Sequence, residues 1–448
     1  MKLSIEPIKS FMTIFLFLLS FALMLTKFYY LPHLMENATA YRSITLDYAR
    51  ENTVEPNYII CYLGGNKITK MFDTKMESYI KLRTLIRENL PSSEKGSFHP
   101  GKTLPSSRNE RAVEIIFRPS VDAKLLSGSI FNDSERLRGL SKVSTIYLSS
   151  IQNKPLYFEG EEGLVEFSIQ KQEINQLLEN LQQSSYVGYY SLSYLFESSS
   201  PAFVNQDEIG NFPIYNTKSS LDREIREEIA RRLFGQQFDF LSEITETDGR
   251  YIYSYNYGQK VFKTTKGGMM EYTDENFKVG KHDLQEQFHV AVDFLKMLNY
   301  DIPSLRLYAH RYVKIHGNDA TKFIFKRMFN GLEIDSTGNS CNIEVTLVGE
   351  DVYKFRGQAR NLSGLDLKYD SQTIPGLNAL ESVYIYSKKK DPSLDATSYF
   401  NSIADFTVSY FMDENKDLLP CYKITMNRRN YYVDIYTGEV LANELEPS

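Results

Sequence analysis

The sequence predicts an α+β protein: an N-terminal transmembrane helix, a mixed N-terminal domain, and two similar units that each pair an antiparallel sheet with a helix. Three observations predict it. The run FMTIFLFLLSFALMLT, from Phe11 to Thr26, carries no charge. Tyrosine and phenylalanine number 32 and 28 while tryptophan is absent, and an excess of such rings beside β-branched residues favours half-buried strands. Beyond residue 220, helical and antiparallel-strand patterns alternate twice over. A chain of 448 residues also exceeds what one core holds, since single cores stop growing near about 250–300 residues.

The first element is the anchor. The uncharged run continues through Lys27 into Phe28, Tyr29, Tyr30 and Leu31 before Pro32. Such a segment, residues 10–31, spans a bilayer if Lys27 snorkels and the rings sit at the interface. The competing reading is a cleaved signal peptide, with Lys2 and Lys9 as its charged start. The small residues Ala38 and Ala40 lie too far downstream for the usual cleavage distance, so an uncleaved helix is preferred. The common arrangement leaves residues 1–9 in the cytoplasm and the body outside it.

Residues 35–196 read as the mixed N-terminal domain. NYIICYLGG (Asn57 to Gly65) is an apolar strand ending in turn residues, and Ile68 to Phe72 follow as a short second strand. Thr74 and Glu77 have capping-box spacing ahead of Met76, Ile80, Leu82, Leu85 and Ile86, a helix that Pro91 stops. Pro91 to Ser107 read as a loop. Alternating strands are expected at Val113 to Phe117, Thr145 to Leu148, Leu156 to Glu159 and Leu164 to Ile169. A helix then places Ile174, Leu177, Leu178 and Leu181 on one face.

A polar stretch, Glu197 to Lys218, separates this region from a middle unit, 205–304. Its first helix repeats Leu221, Ile225, Ile229 and Leu233, and its solvated side pairs Glu227 with Arg231 and Glu228 with Arg232 at i, i+4. RYIYSYNY, QKVFKTTK and MMEYTD read as strands joined by glycine turns, and a helix from His282 to Tyr300 follows. The third unit, 305–448, repeats the order. Strands are expected at Leu305 to Ile315, Thr321 to Phe329, Cys341 to Leu347 and Val352 to Ala359, then a helix from Leu394 to Met412 and three short strands.

Chemistry finds little support in these residues. The formal charge of -6 argues against a nucleic-acid partner, which needs a strong cationic face. Cys61, Cys341 and Cys421 are far apart and odd in number, so they read as buried thiols. So few cysteines in an exported chain fit a bacterial surface, where the glycosylation triplets at Asn37, Asn132 and Asn361 have no meaning. His282, Glu286, His289 and Asp293 align at i, i+4, i+7 and i+11, but HExxH is absent, and a solvated polar stripe is the simpler reading. GxSxG and GxGxxG are both missing, and Ser92 with Lys95 falls in a loop. Glu161 and Glu162 form an acidic pair whose separation from any other carboxylate the sequence does not reveal. Lys388 to Lys390 read as a solvated loop, with an anionic-lipid contact as the alternative. No catalytic, cofactor-binding or metal-ligating residue is assigned, and no cofactor is expected.

The C-terminal LLPCYKITMNRRNYYVDIYTGEVL, with RYIYSYNYGQKVFKTTKGGMMEY and FIFKRMFNGLEI before it, resembles the YycH/YycI family of Gram-positive bacteria. The anchor, EIIFRP, YLSS and KPLYFEG look more like its YycH branch; Cys421 and Tyr422 after Pro420, and the lack of tryptophan, depart from the family pattern. The resemblance implies a non-enzymatic, extracytoplasmic regulator that binds the membrane sensor histidine kinase of a two-component system controlling cell-wall metabolism. It further implies association with a YycI-like partner or a second copy, and two C-terminal domains similar to each other. The rival readings are a surface hydrolase or wall-binding enzyme, which needs convergent acidic or metal-binding side chains, and an envelope scaffold or protease-inhibitory module acting by edge pairing.

Overall fold

The computed structural model describes residues 43–72, 77–90, 95–104, 110–151, 154–169, 187–280, 283–367 and 372–446, together with Leu16, Leu19 and Ser20. The anchor, the helix expected around Ile174 to Leu181, the Thr74 cap, Ser92 and His282 lie outside this set. Among the described residues no helix is long and apolar enough to cross a membrane. Residues from Thr45 to Ser448 form one compact unit.

The unit opens with α1 (Leu46–Thr53), β1 (Tyr58–Leu63), β2 (Ile68–Met71), α2 (Glu77–Asn89), β3 (Ser97–Pro100), β4 (Arg111–Asp122), α3 (Ala123–Phe131), β5 (Lys142–Ser149), β6 (Leu156–Gly160) and β7 (Gly163–Phe167). The strands form one antiparallel sheet in the order β2-β1-β4-β5-β6-β7-β3. Every residue of β1 is buried because both faces are covered. Tyr58, Ile60 and Tyr62 pack with Tyr189 and Phe203 of a two-stranded ribbon, β8 (Tyr189–Ser191) and β9 (Phe203–Asn205). Between them runs the short α4 (Leu192–Phe196). The edge strand β3 falls inside the expected Pro91 to Ser107 loop. Its side chains are mostly exposed and show no apolar alternation, so only its backbone pairing with β7 defines it.

The rest of the chain comprises β10 (Ile214–Ser219), α5 (Arg223–Phe234), β11 (Ser242–Thr245), β12 (Tyr251–Tyr255), β13 (Lys260–Thr264), β14 (Met269–Asp274), α6 (Leu284–Met297) and β15 (Leu305–Ile315). Then come β16 (Asn318–Phe329), β17 (Leu332–Ser336), β18 (Ile343–Val348), β19 (Asp351–Gln358), β20 (Arg360–Leu367), α7 (Gly376–Lys390), α8 (Ala396–Ser402), β21 (Ile403–Met412), β22 (Asp417–Met426), β23 (Arg429–Asp434) and β24 (Val440–Leu445). Fifteen strands join in one hydrogen-bonded system. One part runs β11-β12-β13-β14-β19-β18-β16-β15, with α5 and α6 on one face. Its strands come from both sides of position 304/305. The long β16 then leaves this part and turns through Asn330 and Gly331 into β17, which pairs parallel with β21. Around β21 and β22 the second part gathers β10, β20, β23 and β24, with α7 and α8 packed on it.

Two further expectations need correction. The helix read from Leu394 to Met412 ends at Ser402, and the remainder is β21. IADFTVSYFM is nearly all buried between β17 and β22, and a fully buried apolar run carries no period that separates strand from helix. The lysine run, read as a loop, is the exposed last turn of α7. The buried positions Gly376, Ala379, Leu380 and Val383 have helical spacing, but glycine and alanine contribute little apolar contrast, so the pattern is faint in sequence.

Candidate interaction site

The sheets meet over charged side chains that are almost wholly enclosed. Arg306 on β15, Lys326 on β16, Glu333 and Asp335 on β17, and Lys423 on β22 are 2%, 1%, 7%, 1% and 6% exposed. They converge because β16 crosses from one part of the strand system to the other, which puts its inner lysine between them. Lys326 Nζ donates to Asp335 Oδ1 at 2.5 Å, and Lys423 Nζ donates to Asp335 Oδ2 and Glu333 Oε2, each at 2.8 Å. Arg306 pairs with Glu333. Burying an unpaired ion costs several kcal/mol, so the cluster holds only while each charge keeps its partner. Burial pushes the Asp335 carboxyl up, but Lys326 and Lys423 outweigh it and hold it below the usual carboxylate range. Burial likewise pulls Lys423 down, and Asp335 reverses this to a net rise. Burial lowers Lys326, with Asp335 opposing.

The N-terminal sheet is tied to the same region. Arg306 Nη1 donates to the Pro56 carbonyl at 3.4 Å, and Asn57 Nδ2 donates to Glu333 Oε1 at 3.4 Å. Further along β21, Tyr58 donates to Asp405 at 2.6 Å, Arg118 to the Ala404 carbonyl at 3.0 Å, and Lys70 to the Phe406 carbonyl at 2.5 Å. Lys70 Nζ also lies 4.4 Å from the centre of the Tyr58 ring. Burial brings the Lys70 ammonium down to about 8, with Asp405 opposing.

Beside this joint opens a cleft of about 400 Å³ lined by Glu51, Glu55, Ile80, Arg83, Asp301, Met328 and Phe329, and by the Asn330-Gly331 turn. Arg83 Nη1 is held by the Glu51 carbonyl at 3.1 Å. The size lies within the range of ligand pockets, and the lining offers carboxylates over apolar side chains. That suits recognition of a side chain from a partner. Ser304 also lines the cleft, and its hydroxyl donates to the Asp301 carbonyl at 2.7 Å.

The residues singled out in the sequence do not converge. On α6, Glu286 is exposed and His289 and Asp293 are half-buried, while Phe288, Ala291 and Leu295 face the core. Among the described residues, no group of three or more His, Cys, Asp and Glu side chains is gathered as metal ligands. Glu161 and Glu162 occupy the turn between β6 and β7, where Glu162 accepts from the Ser141 hydroxyl. That hydrogen bond keeps its carboxyl low and ionised. Cys61, Cys341 and Cys421 are all buried and free, and burial pushes the Cys61 thiol up to about 12. The charged junction escaped the sequence reading. Its one local sign lies in FIFKRMFNGLEID, where Lys326, Glu333 and Asp335, with Arg327, interrupt a largely apolar hairpin.

No known protein family matches the sequence, and no curated protein matches it. Solved structures do. The chain has the fold of YycH from Bacillus subtilis, with a TM-score of 0.55 and 11% identity over 86% of this chain and 96% of that one. The family resemblance read from the sequence is thus borne out at the level of the fold. Weaker likenesses, with TM-scores of 0.35 and 0.30 and 12% identity each, are to an uncharacterized protein from Eubacterium rectale and to the Bacillus megaterium YpeB C-terminal domain. These cover 54% and 51% of this chain and 91% and 100% of theirs.

Proposed function

We propose that the chain is a membrane-anchored, extracytoplasmic regulator that binds a sensor histidine kinase of a two-component system controlling cell-wall metabolism, and that it works without catalysis. The observation that carries this reading is the YycH-like fold across 86% of the chain. The body supports it: its buried charges tie sheets together, and its cleft is furnished for recognition. In this reading residues 1–9 are cytoplasmic, 10–31 span the membrane, and 35–196 lies outside the cytoplasm with the two related segments 205–304 and 305–448, which share one strand system. A regulator biases a kinase by binding its two states unequally, and a few kcal/mol of differential contact is enough.

The test is crosslinking in intact membranes followed by purification of the chain, with kinase-dependent transcription measured in a deletion strain. Recovery of a sensor kinase and altered transcription are expected. Unchanged transcription with no kinase recovered would overturn the proposal. A hydrolase would instead be revealed by turnover of wall polymer that a Glu161→Gln, Glu162→Gln variant loses.

A further inference from the structure

The sheet that carries α5 and α6 has a second face. In an antiparallel sheet, residues directly opposite one another point to the same side. The cross-strand row Tyr253, Phe262, Tyr272, Phe355, Val345 and Phe323 lies under the helices, where Phe294 packs on Tyr272 and Phe355 and Phe288 packs on Phe323. The rows between must therefore face the other way. One of them reads Lys263, Glu271, Arg356 and Glu344 across β13, β14, β19 and β18. Lys263, Glu271 and Arg356 are exposed and Glu344 is half-buried. Their ion pairs stay in the sheet, Arg356 with Glu271 at 3.8 Å and Lys322 with Glu344 at 2.7 Å. On this same face β17 and β22 cover β16 at Lys326, while the exposed side chains of the face stand on β13, β14 and β19 and only Glu344 of β18 is partly exposed beside the buried Thr346.

The signs alternate along the row, plus, minus, plus, minus. That order is self-complementary. A two-fold axis running along the strands between β14 and β19, placed between two copies stacked face to face, sets Lys263 against the partner's Glu344 and Glu271 against the partner's Arg356. Symmetry then repeats both contacts. In the neighbouring row, Val261, Thr273, Lys354 and Thr346, Thr273 stands opposite the partner's exposed Lys354 and no like charges meet, while the buried Thr346 makes no contact across the axis. Closed homodimers use such isologous patches.

We propose that this open sheet face is a homodimer contact, and that its occupant is the same face of a second copy. Strand geometry makes the patch about 300–400 Å² per copy, below the roughly 800 Å² of a stable interface. The contact is therefore weak in dilute solution and forms where copies are confined together. Confinement rests on the membrane anchor of the proposed function.

The experiment uses the full chain in native membranes. The native cysteines are buried, so Thr273→Cys supplies one reactive thiol on this face. The two introduced thiols lie across the axis at about 11 Å, from sheets packed about 10 Å apart and strands about 4.8 Å apart. A bis-maleimide of that reach should give a crosslinked dimer, while a chain carrying Glu286→Cys on α6 instead should give at least tenfold less. Adding Lys263→Glu, or Glu344→Lys, to the Thr273→Cys chain should each abolish the product. Both together should restore it, because each exchanged charge again meets its opposite across the axis. Within one chain these positions lie three strands apart, so rescue reports a contact between chains. Salt at 0.5 M should weaken the product, as expected for exposed charges. Absence of the crosslink from membrane-bound Thr273→Cys chain, or failure of the double exchange to rescue a chain whose circular dichroism is unchanged, overturns the proposal. Recovery of the chain in the soluble fraction would instead count against the anchor, and a concentrated detergent-free sample would then carry the same crosslinking series.

Discussion

Replacing Asp335 with asparagine should destabilise the body by about 3–5 kcal/mol, the usual cost of removing one partner from a buried ion pair. The estimate follows from the geometry. Lys326 is 1% exposed and its Nζ contacts Asp335 at 2.5 Å, while Lys423, 6% exposed, keeps Glu333 at 2.8 Å. Lys326 thus bears most of the loss. Because tryptophan is absent, unfolding in urea is best followed by far-ultraviolet circular dichroism with tyrosine fluorescence. The midpoint should fall with little change in slope. Adding Lys326→Met should recover more than half of the loss, since removing both ions removes the uncompensated charge. The pH dependence has a definite sign. Asp335 is held below its unfolded value, near 3.9, so its stabilisation is fully present above that value. It disappears as pH falls through the lower folded value. The asparagine variant should therefore lose less stability than the parent below pH 4. A variant within about 1 kcal/mol of the parent at pH 7 would refute the reasoning.

Lys70, lowered from 10.5 to about 8 by burial, is harder to charge when folded. Stability should thus rise as pH goes from 8 to 10.5, by at most about 3 kcal/mol, and Lys70→Met should remove that rise in urea titrations at stepped pH. Gly376→Ala should cost about 1–3 kcal/mol, because an added Cβ would sit 2.4 Å from Asn205 Oδ1 and 2.7 Å from a Phe406 ring carbon; an unchanged midpoint would show that α7 can shift freely. The native thiols should resist a thiol reagent at pH 8 until urea unfolds the chain, given their burial and the raised Cys61 thiol, and rapid labelling of the native protein would contradict the packing. Exchanging Phe11 to Thr26 for an unrelated apolar helix of equal length should lower kinase copurification and shift kinase-dependent transcription if the helix takes part in binding, whereas unaltered values would leave the contacts on the folded body.

Local pattern was enough for much of the chain. RYIYSYNY, QKVFKTTK and MMEYTD alternate strongly and are bounded by glycine turns, and they lie within a residue or two of β12, β13 and β14. The apolar spacing of Leu221 to Leu233 likewise led to α5, and Leu305 to Ile315 coincides with β15. These elements have one solvated side, so the period of their apolar residues is written in the sequence. IADFTVSYFM and Gly376 to Lys390 lack that contrast, the first because it is buried nearly throughout and the second because small residues form its inner face. The site was less legible still. Arg306, Lys326, Glu333, Asp335 and Lys423 are ordinary charged residues along the chain, and only the crossing of β16 into β17 and the return of β22 turn them into one enclosed cluster. The open face has the same origin: Lys263, Glu271, Glu344 and Arg356 span more than ninety positions, and strand register alone sets them side by side. Sequence determined which residues prefer strand or helix, because that preference is local; tertiary structure decided which charges meet, because pairing between distant strands depends on the whole path of the chain.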